Sequence, residues 1–430
     1  MTKPVNLLPS RIDLFDKIQS AIKEAEEIDK AKEAQEIDKT KEVQKPEPPP
    51  LLFIFWGSRG SGKTTFLNTV EEKLSANSDI EILGFWNAAD FTASTLSSSI
   101  KETVDKKSSK TKLILIDNLD SLLQDSSGKE LFDFESNALL PLIQREDTII
   151  IAASQIEINL WQEYDVRVRQ ENHQLTPLKI DEIKEFLLET NIDSDHAQTI
   201  TFGHPKMLEE FIAHPKWTSK EASAYANKYF LEGFPADTKE LTEKASIFPV
   251  FDIFILRKVM EDETEDNQKD QTDMLTGYND KINELTRRWI VQFDVEAGAY
   301  RFTDDAVRRL ISRNTELTLN DEFVRIHQIA AEYYQEEAKN TSYLAQLFVS
   351  SIYHLAHSQS GKGKDTPGAI CLRWVRNMQN KWFGANWEQV LTAWESGNHA
   401  VSEEIILLIG SKSYSKITDL LSENKIRSEV

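Results

Sequence analysis

Between Leu51 and His214 the apolar residues alternate between two spacings. Leu51-Leu52-Phe53-Ile54-Phe55-Trp56, Ile80–Phe85, Leu113-Ile114-Leu115-Ile116 and Thr148-Ile149-Ile150-Ile151-Ala152-Ala153 are short continuous runs, the pattern of buried strands. Between them the spacing becomes helical: Leu67, Val70 and Leu74 share one face, and Thr95–Val104 reads as a second helix. Strands alternating with helices predict a parallel sheet with crossover helices. Val166-Arg167-Val168-Arg169 through Leu178 reads as a fifth strand, followed by a helix at Asp181–Glu189. Thr201-Phe202-Gly203-His204-Pro205 then opens a helix through Met207, Leu208 and Phe211, with the proline in the first turn where its missing N–H costs nothing.

The flanking segments follow other patterns. Ile12, Phe15, Ile18 and Ile22 mark an amphipathic helix, after which Glu27–Gln35 is repeated almost intact as Glu36–Gln44, a charged tandem duplication. Pro46-Glu47-Pro48-Pro49-Pro50 stiffens the approach to the first strand. Residues 239–313 read as helix (Leu241–Phe248), helix (Phe251–Met260), acidic loop (Glu261–Asp273), helix (Tyr278–Arg288) and a hairpin, Trp289–Val295 with Ala299–Phe302. Three helices and a hairpin predict a winged helix. From Asp321 to Val430 the pattern is helical, interrupted at Gly361-Lys362-Gly363-Lys364-Asp365, with Trp374, Trp387 and Trp394 as candidate core. The expected division is 1–50 N-terminal helix and linker, 51–178 α/β core, 179–238 helical lid, 239–315 winged helix and 316–430 α-helical region.

Composition narrows the function classes. At 430 residues the chain exceeds one ordinary domain of about 150 residues. A net charge of −21 offers no broad field to nucleic acid or anionic lipid. The third helix of the winged helix carries Asn283, Arg287 and Arg288 but also Asp280 and Glu284, so nucleic acid is the weaker partner class. The single Cys371 excludes an internal disulfide framework and, with the lack of a signal-like or membrane-spanning run, points to the cytoplasm and no membrane.

The chemistry is concentrated at Gly57-Ser58-Arg59-Gly60-Ser61-Gly62-Lys63-Thr64-Thr65, which fits G-x-x-x-x-G-K-[ST] between a strand and a helix. The loop backbone and the helix N-terminus suit phosphate oxygens, Lys63 reaches the β- and γ-phosphates, and the Thr64 hydroxyl suits Mg²⁺. This is the signature of an α/β P-loop NTPase with ATP/ADP and Mg²⁺ as cofactors. Leu113–Ile116 ends in Asp117-Asn118-Leu119-Asp120 at the carboxyl edge of the sheet, where ligands bind in such folds. Asp117 is the expected Mg²⁺ partner, Asp117 or Asp120 the group that orients an attacking water, and Ser154 or Gln155 a candidate sensor of the γ-phosphate or a turn residue.

The ordered set of motifs resembles the signal-transduction ATPases of the STAND class, which includes NACHT and NB-ARC proteins and is close in build to AAA+ ATPases. The resemblance spans roughly Leu7 to Ile311: Gly57–Thr65, Asp117-x-x-Asp120, Gly203-His204-Pro205 as a Gly-x-Pro element, and Tyr300-Arg301-Phe302-Thr303-Asp304 closing the winged helix. It implies that Pro205 packs near the adenine, that Leu7–Arg11 covers the nucleotide, and that Thr303 stands where the family has an ADP-contacting histidine. Asn118 follows Asp117 where hydrolysing AAA+ motors have an acid, which implies slow hydrolysis. The implied function is an ATP/Mg²⁺-dependent switch that opens and self-associates with a separate protein effector or sensor, in a bacterial setting for stress or antiviral defence. The alternative is an AAA+ initiator- or loader-like ATPase acting on DNA through its winged helix.

Overall fold

The computed structural model describes residues 8–35, 49–104, 110–123, 128–145, 147–260, 271–295, 298–340, 344–358, 365–379, 387–396 and 399–428. The second copy of the tandem repeat, Pro46–Pro48, residues 261–270 of the acidic loop and residues 361–364 lie outside them. The chain forms two compact units, Met1–Lys216 and Trp217–Val430, so the expected 179–238 segment has residues in both.

The first unit is built on five parallel strands, β1 (Leu52–Trp56), β2 (Ile80–Asn87), β3 (Thr111–Asp117), β4 (Thr148–Ser154) and β5 (Gln170–Gln174), in the order β2-β3-β4-β1-β5. The central strands are apolar throughout because helices cover both faces, leaving no polar side to alternate with. Those helices are α1 (Pro9–Gln35), α2 (Lys63–Ser75), α3 (Ala93–Val104), α4 (Lys129–Phe134) and α5 (Leu140–Ile143), the last two joined by a π turn at Glu135–Leu139. α1 buries Phe15, Ile18, Ala21 and Ile22, and α2 buries Phe66, Leu67, Val70 and Leu74. Three further helices follow α6 (Tyr164–Val168) and β5: α7 (Ile180–Phe186), α8 (Ser194–Thr201) and α9 (Pro205–Ala213).

The fifth strand differs from expectation. Val166–Val168 belongs to α6, and β5 is the polar stretch Gln-Glu-Asn-His-Gln that follows. The buried carboxylate of Glu135 accepts the N–H groups of Gln162 (3.1 Å) and Glu163 (2.9 Å), satisfying donors at the α6 N-terminus and turning the alternating Val166/Val168 pair into a short helix with only Val166 buried. β5 is an edge strand held to β1 by its backbone, while its side chains reach the loop before α6: Gln170 Nε2 donates to Ile158 O (2.7 Å) and Asn172 Nδ2 to Asn159 Oδ1 (2.6 Å).

In the second unit α10 (Ser219–Phe230) precedes α11 (Ala236–Ala245), α12 (Ile253–Met260), α13 (Gln271–Arg287) and the antiparallel hairpin β6 (Val291–Asp294) with β7 (Ala299–Phe302). Phe251 pairs with Tyr300 through two hydrogen bonds (2.8 and 2.7 Å), adding a one-residue third strand to the hairpin and completing a winged-helix arrangement. The rest is helical: α14 (Asp305–Thr318), α15 (Asn320–Asn340), α16 (Leu344–Ser358), α17 (Pro367–Gln379), α18 (Trp387–Ser396), α19 (His399–Ile409) and α20 (Ser411–Ser428). Trp387 and Trp394 pack with Phe348, Tyr353, Val375 and Leu421 in one apolar cluster, with Trp374 at its margin. Fully buried Arg308 of α14 reaches Asp305 and Glu404 of α19, both at 2.7 Å, and the Tyr353 hydroxyl of α16 at 3.3 Å. A lone guanidinium costs several kcal/mol to bury, on the order of the penalty these two carboxylates offset.

Candidate functional site

β1 runs straight into the glycine-rich loop, whose first amide, Gly57 N–H, donates to Ser154 O at the end of β4 (3.2 Å). The loop turns back through Ser61 N–H to Ser58 O (3.1 Å) and enters α2 at Gly62, in the left-handed region at φ 92°. No side chain caps this helix start, and a Cβ at Gly62 would meet nothing within 4 Å. The result is an open cradle of backbone N–H groups at the positive end of a 13-residue helix, the geometry that suits a phosphate. Two side chains sharpen it. Buried Ser61 Oγ has no hydrogen-bond partner, and Lys63 Nζ folds back onto Gly57 O and Ser58 O, both at 2.8 Å. A nucleotide phosphate fits this donor set, with Lys63 exchanging loop carbonyls for phosphate oxygens. Arg59 and Thr65 lie at the exposed rim.

β3 carries Asp117 to the same edge. Thr64 Oγ1 donates to Asp117 Oδ2 at 2.6 Å, and Asn118 N–H donates to Asp117 Oδ1 at 2.9 Å. Hydroxyl and carboxylate from two different elements thus converge beside the loop, the oxygen pair a Mg²⁺ ion takes when phosphates complete its shell. Asn118 adopts φ 54°, which asparagine tolerates, and its amide donates to Asn87 Oδ1 at the end of β2 (2.9 Å). Asp120 differs from Asp117. It is as buried as Asp117, but its oxygens accept Gln155 N–H (2.8 Å) and Gln155 Nε2 (3.3 Å) rather than the Thr64 hydroxyl. Burial pushes its carboxyl above the usual range, against the opposing pull of the Gln155 N–H and Lys63.

The Gly203-His204-Pro205 element touches the loop itself. His204 is fully buried with Nε2 3.2 Å from Ser58 Oγ, and Lys206 N–H donates to Gly60 O (3.1 Å). Gly60, at φ 82°, permits this: a Cβ there would lie 2.7 Å from Lys206 Cβ and 3.1 Å from His204 Cε1. Pro205 occupies the first turn of α9. The sequence pattern marked the proline but not the two residues beside it that contact the loop; a histidine between a left-handed glycine and a helix-starting proline was the available signal. At the N-terminus, Arg11 Nη2 donates to Thr176 O (2.9 Å) and Ser10 N–H to Glu182 Oε1 (3.0 Å). Burial raises the Glu182 carboxyl, but bonds from Ser10 and Lys179 together with the Arg11 charge bring it below its ordinary value. Thr303 lies in the second unit, its hydroxyl donating to Trp289 O (2.7 Å), while Asp304 caps α14 through Ala306 N–H (2.8 Å).

Residues 53–177, which hold the loop, both strand ends and β5, match the model of the ATPase family associated with various cellular activities (AAA). Residues 53–177 form an AAA ATPase domain. No curated protein matches the sequence. Among solved structures, ORC1 of Aeropyrum pernix in complex with DNA is 13% identical, the alignment covering 64% of this chain and 89% of that one at a TM-score of 0.32. Domain III of the Thermotoga maritima replication initiation protein DnaA is 18% identical over 40% of this chain and 82% of that one, with a TM-score of 0.29. A chain of the E. coli MS115-1 HORMA:CdnC:Trip13 complex is 14% identical over 54% and 84%, at 0.32. Likeness at these scores bears on neither activity nor partners. The AAA domain implies nucleotide binding, and among the described residues no helix is long and apolar enough to cross a membrane.

Proposed function

We propose that the chain is an ATP- and Mg²⁺-dependent AAA-type ATPase whose nucleotide state sets its conformation and self-association. The observation that carries the reading is the 2.6 Å Thr64–Asp117 contact at the open start of α2, inside the segment that matches the AAA family. Gly57–Gly62 would wrap the phosphates with backbone N–H groups, Lys63 would neutralise their charge, and Thr64 and Asp117 would hold the metal. Mg²⁺ held there would neutralise phosphate charge. Asp117 keeps its side chain aimed by accepting the Asn118 N–H, and the Asn118 amide offers no carboxylate beside it, so turnover is slow and nucleotide occupancy is the signal. His204 and Lys206, in contact with the loop, are the first residues outside it to register that occupancy.

Two downstream roles divide the possibilities. The family matched over residues 53–177 is AAA rather than a STAND group, which supports an initiator- or loader-like remodelling ATPase over a STAND signalling switch. The net charge of −21 weighs against DNA as the substrate. Light scattering with Mg²⁺–ATPγS or Mg²⁺–ADP, and turnover with and without duplex DNA, tests both. Nucleotide binding lost in Lys63→Ala supports the ATPase, and DNA-stimulated, salt-sensitive turnover supports the loader. Wild-type protein that binds neither nucleotide refutes the reading.

A further inference from the structure

The two carboxylates at the end of β3 have different surroundings and hence different work. We propose that Asp120 is a positioning residue: by holding the backbone N–H and the side-chain amide of Gln155 together, it fixes that amide where a nucleoside triphosphate is told from a diphosphate. The proposal rests on the ATP reading above.

Three observations carry it. Pairing of β3 with β4 ends at Ile116–Ala152, and beyond that rung β4 pairs with β1 through Trp56–Ser154. The Asp120–Gln155 bonds bridge the two strand ends past the last rung, at 2.8 and 3.3 Å. The residue before Gln155 is held from the other side by the loop, through Gly57 N–H to Ser154 O, and Ser154 Oγ accepts Ile156 N–H (3.2 Å). Gln155 is therefore fixed relative to the phosphate cradle by Asp120 on one flank and by the loop on the other. Finally, Asp120 is 4% exposed and each of its oxygens already accepts a Gln155 donor, so the side chain is committed to that residue. Burial raises its carboxyl above the usual range, against the opposing pull of the Gln155 N–H and Lys63.

Asparagine at 120 keeps an acceptor for the Gln155 N–H but turns an amide donor toward the Gln155 amide, so only the backbone half of the clamp survives. Calorimetric titration of the full chain with Mg²⁺–ATPγS and Mg²⁺–ADP compares wild type, Asp120→Asn, Gln155→Ala and the double variant. The expected result is that each single variant lowers the ATPγS-over-ADP preference by about five- to tenfold, and that the double variant lowers it no further than Gln155→Ala alone. A merely structural Asp120 would weaken both nucleotides equally, and an independent catalytic one would add to Gln155→Ala; either overturns the proposal. Should Asp120→Asn fail to fold, Gln155→Asn keeps the amide but draws it out of reach of Asp120. Loss of the preference then supports the clamp, and an unchanged preference overturns it. Wild type that binds both nucleotides with equal affinity overturns the clamp alone; wild type that binds neither overturns the ATP reading with it.

Discussion

Acid should unfold the second unit through three histidines that do not belong to any nucleotide site. His327 on α15 and His354 and His357 on α16 form one cluster: the Nδ1 atoms of His327 and His354 share a 2.9 Å hydrogen bond, and the rings of His327 and His357 stack at 4.3 Å. All three Nε2 atoms are buried without a hydrogen-bond partner. Phe248, Phe323, Tyr334 and Tyr353 pack against the rings, and the charges nearest are cationic, Arg308 and Arg313, with Asp305 and Glu404 already committed to Arg308. Burial first, then mutual repulsion and Arg308, hold His327 and His354 well below the ordinary imidazole value; burial and the arginines bring His357 to about 3. Because the folded values are depressed, the unfolded chain binds more protons, so stability is full above the unfolded value near 6.5 and is lost as pH falls from there toward the folded values. Between about pH 7.5 and about pH 5, each histidine kept neutral in the fold costs about 2 kcal/mol, so the three together account for about 6. At roughly 2–4 °C per kcal/mol for a unit of this size, the thermal midpoint should fall by about 12–24 °C. Thermal melts followed by tryptophan fluorescence would compare wild type with His327→Phe/His354→Phe, and with His354→Phe alone should the double variant misfold. The acid-induced drop should shrink by about 2 kcal/mol per imidazole removed. An equal drop in wild type and variant refutes the reasoning. The carboxylates held low, Asp147, Glu182 and Glu322, titrate below this window and do not confound it.

Other outcomes follow from single contacts. Thr64→Ala removes the hydroxyl that donates to Asp117 and should abolish the Mg²⁺ dependence of nucleotide affinity while leaving the melting temperature within about 2 °C, since Thr64 is exposed; titration with and without Mg²⁺ checks it. Gly60→Ala places a Cβ 2.7 Å from Lys206 Cβ at a left-handed φ and should cost about 1–3 kcal/mol, with faster amide exchange at residues 204–208; unchanged exchange would show that the element does not bear on the loop. Arg308→Ala leaves Asp305 and Glu404 without their shared buried cation and should cost about 3–5 kcal/mol in urea unfolding, well beyond Arg313→Ala at the exposed Arg313–Glu316 pair.

The parts of the molecule most legible in the sequence were those where one physical demand acts alone. β1, β3 and β4 need two apolar faces, and Leu51–Trp56, Leu113–Ile116 and Thr148–Ala153 declare it; the glycine-rich run between strand and helix is as distinct, and the structure brings Thr64 at its end to Asp117. Illegible parts answered to partners distant in sequence. β5 carries no apolar pattern because it is an edge held by β1, and α6 is a helix because Glu135, some 27 residues upstream, caps it. The same applies at the site. Asp120 and Asp117 are equivalent as letters, and only their partners, Gln155 some 35 residues away for one and Thr64 for the other, tell them apart. His204 read as filler inside a Gly-x-Pro element, yet it lies against Ser58.

The two outer strands of the ATPase sheet bear on how copies of the chain can meet. On one side β5 presents Gln-Glu-Asn-His-Gln, with Gln170 and Asn172 already bound to the loop at 158–159; on the other, β2 breaks its register between Ile82 and Gly84. A polar rim and a bulged rim are both poor templates for an incoming strand. The sheet is thereby protected from the edge-to-edge growth that leads to fibrils, and assembly has to use helices and loops, surfaces that can release as readily as they bind.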